Sequence, residues 1–215
     1  SHFGVAPIEL VEGGGPLLGR LTITDIPPIE AGQKVSVIMS AFNAEETLWM
    51  AAHSILNQTW RNLELIIVDD CSTDGTWSIA QQLGVEDTRI KVLQNEANSG
   101  PYVSRNRALS HLDGEWITVH DADDWAHPER IARQVRFCEE EKSNYGIAGV
   151  LRVSGDGVFT ELRPLGLNFF DGVLRRGFVS LMVRRAYFDK FLGAWDSVRV
   201  SGDSELIHRI EAIEP

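Results

Sequence analysis

Three carboxylates stand within four positions of the stretch "WITVHDADDWAHPERI", at Asp121, Asp123 and Asp124. Like charges repel, so such a cluster persists where its members share a divalent cation or accept from different partners. Mg²⁺ and Mn²⁺ take oxygen ligands and are commonly held by one or two carboxylates plus substrate phosphate oxygens. The chemistry on offer is therefore binding of a diphosphate that arrives with its metal. A D-x-D triplet by itself is most often a solvated turn. This one follows β-prone residues and precedes a helix-like run opened by Pro128, which is where a ligand-binding loop of an α/β sheet belongs. Two further stretches share that placement: Ser40 to Asn43 closes "KVSVIMSAF", and Asp69-Asp70 closes "LELIIVDD".

The elements that must position these residues follow from periodicity. "KVSVIMSAF", "LELIIVDD", "RIKVLQN" and "EWITVHD" are short apolar, β-branched runs that read as buried strands. Between them, "AEETLWMAAHSILNQ", "STDGTWSIAQQL" and "SGPYVSRNRALSHL" read as helices from apolar spacing, capping residues and an early proline. "PERIARQVRFCEEEK" reads as a fourth helix. The order β-α-β-α-β-α-β-α predicts an α/β domain with a parallel sheet and helices on both faces. In such sheets ligands sit outside the carboxyl ends of the strands, so the three polar strand ends line one crevice if their strands are neighbours. After about residue 145 the pattern loosens. "YGIAGVLRVS" and "GVFTELRP" predict a hairpin around Gly155-Asp156-Gly157, "FVSLMVRR" a strand, and "RAYFDKFL" and "GDSELIHRIEA" short helices. Residues 1–33, rich in Gly and Pro, read as an extended lead-in with a short strand at Leu21–Thr24. The piece from Gly14 to Arg20 approaches a P-loop but has Arg20-Leu21 where Lys and Ser/Thr are needed, so it reads as linker.

Composition narrows the function classes. The 215 residues, 43% hydrophobic and 24% charged, suffice for one sizeable core. A net charge of −11 argues against broad nucleic-acid binding and against docking on anionic lipid. Two cysteines, Cys71 and Cys138, make neither a disulfide framework nor a zinc site, and a reducing compartment is the default expectation. No run reaches the roughly 18 apolar residues of a membrane span, and no signal peptide is visible. The expected location is the cytoplasm or the cytoplasmic face of a membrane.

Five motifs, in order, carry a specific resemblance: "VSVIMSAFNAEETL", "SILNQTWRNLELIIVDDCSTDGT", "NSGPYVSRNRAL", "GEWITVHDADDWAHPERI" and "LGAWDSVRVSGDSELIHRI". Together they resemble a family 2 glycosyltransferase of the GT-A fold. The resemblance runs from about Val35 to Leu112, again through about Cys138, and more loosely to Ile210. It implies a Rossmann-like, mostly parallel central sheet flanked by helices, with a nucleotide-binding part at about residues 34–142 and an acceptor-side part at about 143–215. The chain would then be either a whole transferase domain or a piece of a longer protein.

The resemblance also implies roles. Ser40, Phe42, Asn43 and Glu45 would contact the nucleotide. Phe42 stands where the family often has Tyr, and its face can still stack on a base; the alternative is plain core. Asp70 would accept from a uracil imide N–H, because a carboxylate accepts and that group donates, with Asp69 bracing the loop. Cys71 stands where the family usually has Gly and reads as a small filler. Arg105, in "SRNRAL", would steady the nucleotide or the acidic cluster, or form a structural salt bridge. Asp121 would meet ribose or metal and Asp123 the metal, with Asp124 a further ligand or a brace. The cofactor would be Mn²⁺ or Mg²⁺. His120 and His127 read as surface or packing residues rather than ligands. In "VSGDSEL" Asp203, with Glu205 in reserve, would be the base that takes the acceptor's proton; an N-cap of the last helix is the alternative. Attack opposite the leaving group would invert the anomeric centre. The donor would be a UDP-sugar and the acceptor a glycan, a lipid-linked intermediate or a protein. A nucleotidyltransferase would need a glycine-rich basic loop after the first strand, which "MSAFNAEETL" lacks. A non-catalytic sugar-nucleotide-binding module of a larger protein is the remaining alternative.

Overall fold

A computed structural model describes residues 6–14, 17–23, 26–154, 158, 175–198 and 201–213. The expected hairpin around Gly155–Gly157 lies outside the described residues. The four apolar runs become Val35–Ala41 (β1), Leu63–Asp69 (β2), Ile90–Gln94 (β3) and Trp116–Val119 (β4). Two later strands, Tyr145–Gly146 (β5) and Met182–Arg184 (β6), complete a six-stranded sheet of order β3-β2-β1-β4-β6-β5. β1 to β4 pair in parallel; β6 is antiparallel to both β4 and β5. β2, β1 and β4 are therefore neighbours, and their three polar ends emerge side by side.

Successive residues on a strand face opposite sides, and the two sides have separate cores. Val35, Val37, Met39, Leu65 and Ile67 face one cluster, which contains residues of Leu48–Leu56 (α1), Thr76–Glu86 (α2) and Arg130–Glu140 (α4). Ile38, Ile66, Val68, Ile117 and Val119 face the other, with residues of Pro101–Ala108 (α3) and Gly202–Ile213 (α5). Ile38, Ile66 and Ile67 are fully buried, and each contributes about 1.5–3 kcal/mol of apolar transfer. Because both faces are covered, the strands are near-continuous apolar runs rather than alternating ones.

α1 begins at Leu48, four residues later than "AEETL" suggests. The cause is a lattice between the loops after β1 and β2. Asn43 N–H donates to Ser72 Oγ at 3.0 Å and Ala44 N–H to Thr76 Oγ1 at 2.7 Å. Gly75 N–H donates to the Glu45 carboxylate at 2.6 Å, and Thr73 N–H to Asn43 Oδ1 at 2.9 Å. Asn43 adopts φ 49°, a left-handed conformation that Asn tolerates. These bonds hold residues 43–45 in a turn.

At the opposite ends of the strands, Glu64 is the centre of a buried polar network. Ser36 Oγ donates to it at 2.5 Å and Asp113 N–H at 2.6 Å, and Lys91 Nζ lies 2.9 Å away. Gly114 passes so close to β1 that a Cβ there would sit 2.5 Å from Ser36 N.

The lead-in is laid along the domain. Glu9–Leu10 pairs with Leu21–Thr22, within the stretch expected to be a strand. Ala6 N–H donates to Glu129 Oε2 at 2.9 Å, and Ile29 bridges to Trp60. After β6 the chain makes one α turn at Arg185–Tyr187 and a π turn at Phe188–Leu192, ended by Gly193 at φ 71°. Among the described residues no helix is long and apolar enough to cross a membrane.

Candidate active site

A cavity of about 940 Å³ opens outside the carboxyl ends of β1, β2 and β4, within the size range of small-molecule sites. Ser40, Ala41 and Phe42 continue from β1 into its wall. Phe42 is 47% exposed there, so it is not a core residue, and its ring is free to meet a flat ligand. Asn43 and Glu45 also line the cavity, while their side chains are engaged in the loop lattice described above.

Asp70, at the end of β2, is buried and reaches the cavity wall. Its carboxylate accepts from Asn95 Nδ2 at 2.7 Å, Ser99 N–H at 3.0 Å and Gly100 N–H at 2.7 Å. It thereby ties β2 to the turn that starts α3. Asp69 braces its own loop, taking Gln94 Nε2 at 2.9 Å and Ser72 N–H at 3.3 Å. Cys71, between these loops, sits at φ 60°.

The acidic loop after β4 divides. Asp121 and Asp123 line the cavity, whereas Asp124 does not. Asp124 is partly buried, and burial, with Asp121 and Asp123 adding their charges, pushes its carboxyl up to about 6 against the opposing pull of Arg130. Behind it His120 is buried, with Nε2 3.1 Å from Asp124 O and Nδ1 3.4 Å from Arg130 Nη1. Burial first, and then the Arg130 charge, hold this imidazole well below its usual range, so it is neutral. His127 is taken up by the Glu129 N–H at 3.1 Å and by Ala6 O at 3.1 Å. Neither histidine is in the cavity lining.

Asp203 enters the cavity from the far end of the chain. It lies in the first turn of α5, and its carboxylate turns to α3 rather than capping its own helix. Arg105 Nη1 donates to Asp203 Oδ1, and Tyr102 OH to Asp203 Oδ2 at 3.3 Å. Arg105 Nη2 meets Asp121 Oδ1 at 2.9 Å. One guanidinium, its side chain only 3% exposed, therefore joins the acidic loop to α5 across the cavity. Burial raises the Asp203 carboxyl above its ordinary value, with Asp121 adding to the rise and Arg105 opposing it. Glu205 is not in the lining; it pairs with Arg209 through Nε at 2.9 Å and Nη2 at 2.5 Å.

Among the described residues no three His, Cys, Asp or Glu side chains are grouped to hold an ion by themselves. The loop after β4 brings two carboxylates, Asp121 and Asp123, into the lining. That fits a divalent cation whose other ligands are substrate oxygens and water. Sequence reasoning missed Tyr102, which lines the cavity beside Arg105. The available signal was its spacing, three residues before Arg105 on one helix face.

Known proteins share this architecture. The family model described as glycosyl transferase family 2 matches residues 36–201. EpsE of Bacillus subtilis, named as a glycosyltransferase, is 39% identical over 153 residues, 71% of this chain and 53% of that protein. WfaP of Escherichia coli, named as a UDP-Glc:alpha-D-GlcNAc-diphosphoundecaprenol beta-1,3-glucosyltransferase, is 37% identical over 56% of this chain and 49% of its own length. The chain thus spans about half the length of these curated relatives. The S. aureus TarS 1–349 structure in complex with UDP superposes with a TM-score of 0.65 and 26% identity, covering 80% of this chain and 53% of that one. The same TarS fragment has been solved with UDP-GlcNAc. The sheet order, the crevice at the strand ends and a family-model match across most of the chain lead to one conclusion: the chain belongs to glycosyl transferase family 2 and has the GT-A fold.

Proposed function

We propose that the chain moves a sugar from a nucleoside-diphosphate donor, a UDP-sugar, onto an acceptor hydroxyl with inversion at the anomeric carbon. The observation that carries this reading is Arg105, which touches Asp121 on the donor side and Asp203 on the opposite wall of one cavity. Phe42 stacks on the base. Asp70 already takes three donors; a carboxylate has about four acceptor sites, so one remains for an imide N–H. Asn43 and Glu45 keep the two nucleotide-facing loops in register. Asp121 and Asp123 would hold Mn²⁺ or Mg²⁺ together with donor phosphate oxygens, with Asp124 bracing the loop behind them. When bound, the cation supplies positive charge against the negative charge growing on the departing diphosphate.

Asp203 takes the acceptor's proton as the new bond forms from the hydroxyl oxygen to the anomeric carbon. The bond from that carbon to the diphosphate oxygen breaks, and its electron pair leaves with the diphosphate. The raised Asp203 carboxyl suits this work, since a base with a carboxyl nearer the working pH keeps the proton better. The uridine donor is supported by TarS, solved with UDP and UDP-GlcNAc, and by the UDP-Glc in the name of WfaP. WfaP is also named for a lipid-linked acceptor; a glycan or protein acceptor fits the cavity chemistry equally. The free thiols of Cys71 and Cys138 suit work in the cytoplasm or at its membrane face. The second reading is a sugar-nucleotide-binding module without turnover, in which the Arg105 tie to Asp203 is structural.

The test is a panel of UDP-Glc, UDP-GlcNAc, UDP-Gal and GDP-Man with Mn²⁺ or EDTA, reading released nucleoside diphosphate. Release from a UDP-sugar, abolished by EDTA, is expected. Asp203→Asn should lower it at least about 10²-fold, as for loss of a positioned base, with UDP affinity by calorimetry unchanged. UDP binding without release selects the binding-module reading, and absence of both sinks the two together.

A further inference from the structure

Tyr102 has no part in the roles assigned so far. It opens α3 beside Gly100 and Pro101 and is 6% exposed. Its hydroxyl reaches Asp203 Oδ2, and Arg105, on the same helix face, takes Asp203 Oδ1. The Arg105 Cζ lies 5.1 Å from the Tyr102 ring centre, a cation–π distance. The ring also seats the start of α5: a Cβ on Gly202 would lie 2.8 Å from two of its carbons. Only a glycine allows the backbone before Asp203 to approach the ring so closely.

We propose that Tyr102 is a positioning residue for Asp203, holding one carboxylate oxygen while Arg105 holds the other so that the carboxylate is aimed at the acceptor hydroxyl. The role of Asp203 as base rests on the sugar-transfer reading above; the grip on its carboxylate does not. A carboxylate held at one oxygen still swings about that contact, and a displacement of about 1 Å can cost on the order of 10²-fold in rate. Arg105 is shared with Asp121, so a ligand that engages Asp121 changes the pull on Asp203. Among the described residues Tyr102 has no such second carboxylate partner on the donor side, and it supplies an anchor that does not depend on the donor. Two donors leave two of the four acceptor sites of Asp203 for a sugar hydroxyl. The contact of 3.3 Å is longer than the common O–H···O distance of about 2.7–2.8 Å, which leaves room to tighten as the cavity fills. A phenylalanine would fill the same space, so the packing alone does not call for the hydroxyl.

Tyr102→Phe separates these roles, because it keeps the ring, the Arg105 stack and the Gly202 seat. With the UDP-sugar that wild type turns over, kcat should fall about five- to tenfold, within the range for loss of one intramolecular hydrogen bond. Donor KM and UDP affinity should stay within error, and the melting temperature should fall by no more than about 4 °C. Independently of turnover, the Asp203 carboxyl carbon is titrated by ¹³C NMR in both proteins. Loss of a donor to the charged form moves its midpoint up. An unchanged midpoint overturns the proposal. So does an unchanged kcat, or a loss that falls on donor KM, which would make Tyr102 a donor-binding residue. If wild type turns over no donor, the sugar-transfer reading fails, and the NMR midpoint alone decides whether Tyr102 holds the carboxylate.

Discussion

Arg105→Met should destabilise the protein by about 3 kcal/mol at neutral pH. The side chain is 3% exposed, Asp203 14% and Asp121 32%. Removing one partner of a buried pair leaves the other charge without compensation, at about 3–5 kcal/mol. Asp121, a third in solvent, recovers much of its hydration, which sets the estimate at the low end. Methionine is unbranched and flexible and fills much of the vacated space, so the cavity contribution is small. For a chain of this size about 3 kcal/mol corresponds to a melting temperature lower by about 6–12 °C. The pH dependence gives the sharper test. The Asp203 carboxyl lies above its ordinary 3.8 because of burial, and Arg105 restrains that rise. Without Arg105 it rises further. An acid with a raised folded value contributes its stability below the unfolded value and loses it as pH rises through the folded value. The deficit of the variant against wild type should therefore be largest near neutral pH and shrink as pH falls toward 3.8. Urea unfolding of both proteins at several pH values, in EDTA, measures it. A deficit below about 1 kcal/mol at neutral pH, or one that grows in acid, would refute the assignment of Arg105 as the buried tie between two carboxylates.

Glu64→Gln should cost about 2 kcal/mol without touching UDP affinity, since it breaks a buried charged network at the strand ends remote from the cavity. Burial alone would raise the Glu64 carboxyl, but donors from Ser36, Asp113 and Lys91 and the Lys34 charge outweigh it and hold it low. Its contribution is thus present above the ordinary value of 4.5 and lost in more acid solution, so wild type and variant should converge there in urea melts. Cys71→Gly should leave stability equal or raise it by up to about 1 kcal/mol, because φ 60° costs a side-chain-bearing residue more than it costs glycine. Cys71→Val should lower the melting temperature, β-branching being incompatible with that conformation.

Much of this protein is readable without coordinates. Alternating apolar runs and helical spacings determine the four parallel strands and the helices between them, since each pattern buries an apolar face in only one kind of element. The five ordered motifs carried the family, and the polar strand ends marked the crevice. Tertiary structure alone decided which carboxylates enter it. Asp203 and Glu205 are two residues apart, hence about 200° apart around a helix; the packing of α5 on α3 turns the first to Arg105 and leaves the second to Arg209. Asp124 sits in the same short loop as Asp121 and Asp123, yet that loop folds it back toward Arg130 and His120. Asn43, Glu45 and Asp70 look like free ligand-binding groups as letters, and their braces to the neighbouring loops become visible only when β1 and β2 lie side by side. Tyr102 meets Asp203 across 101 positions of chain. A hydrogen bond depends on distance and direction in space, and no local pattern in the sequence encodes either for residues so far apart.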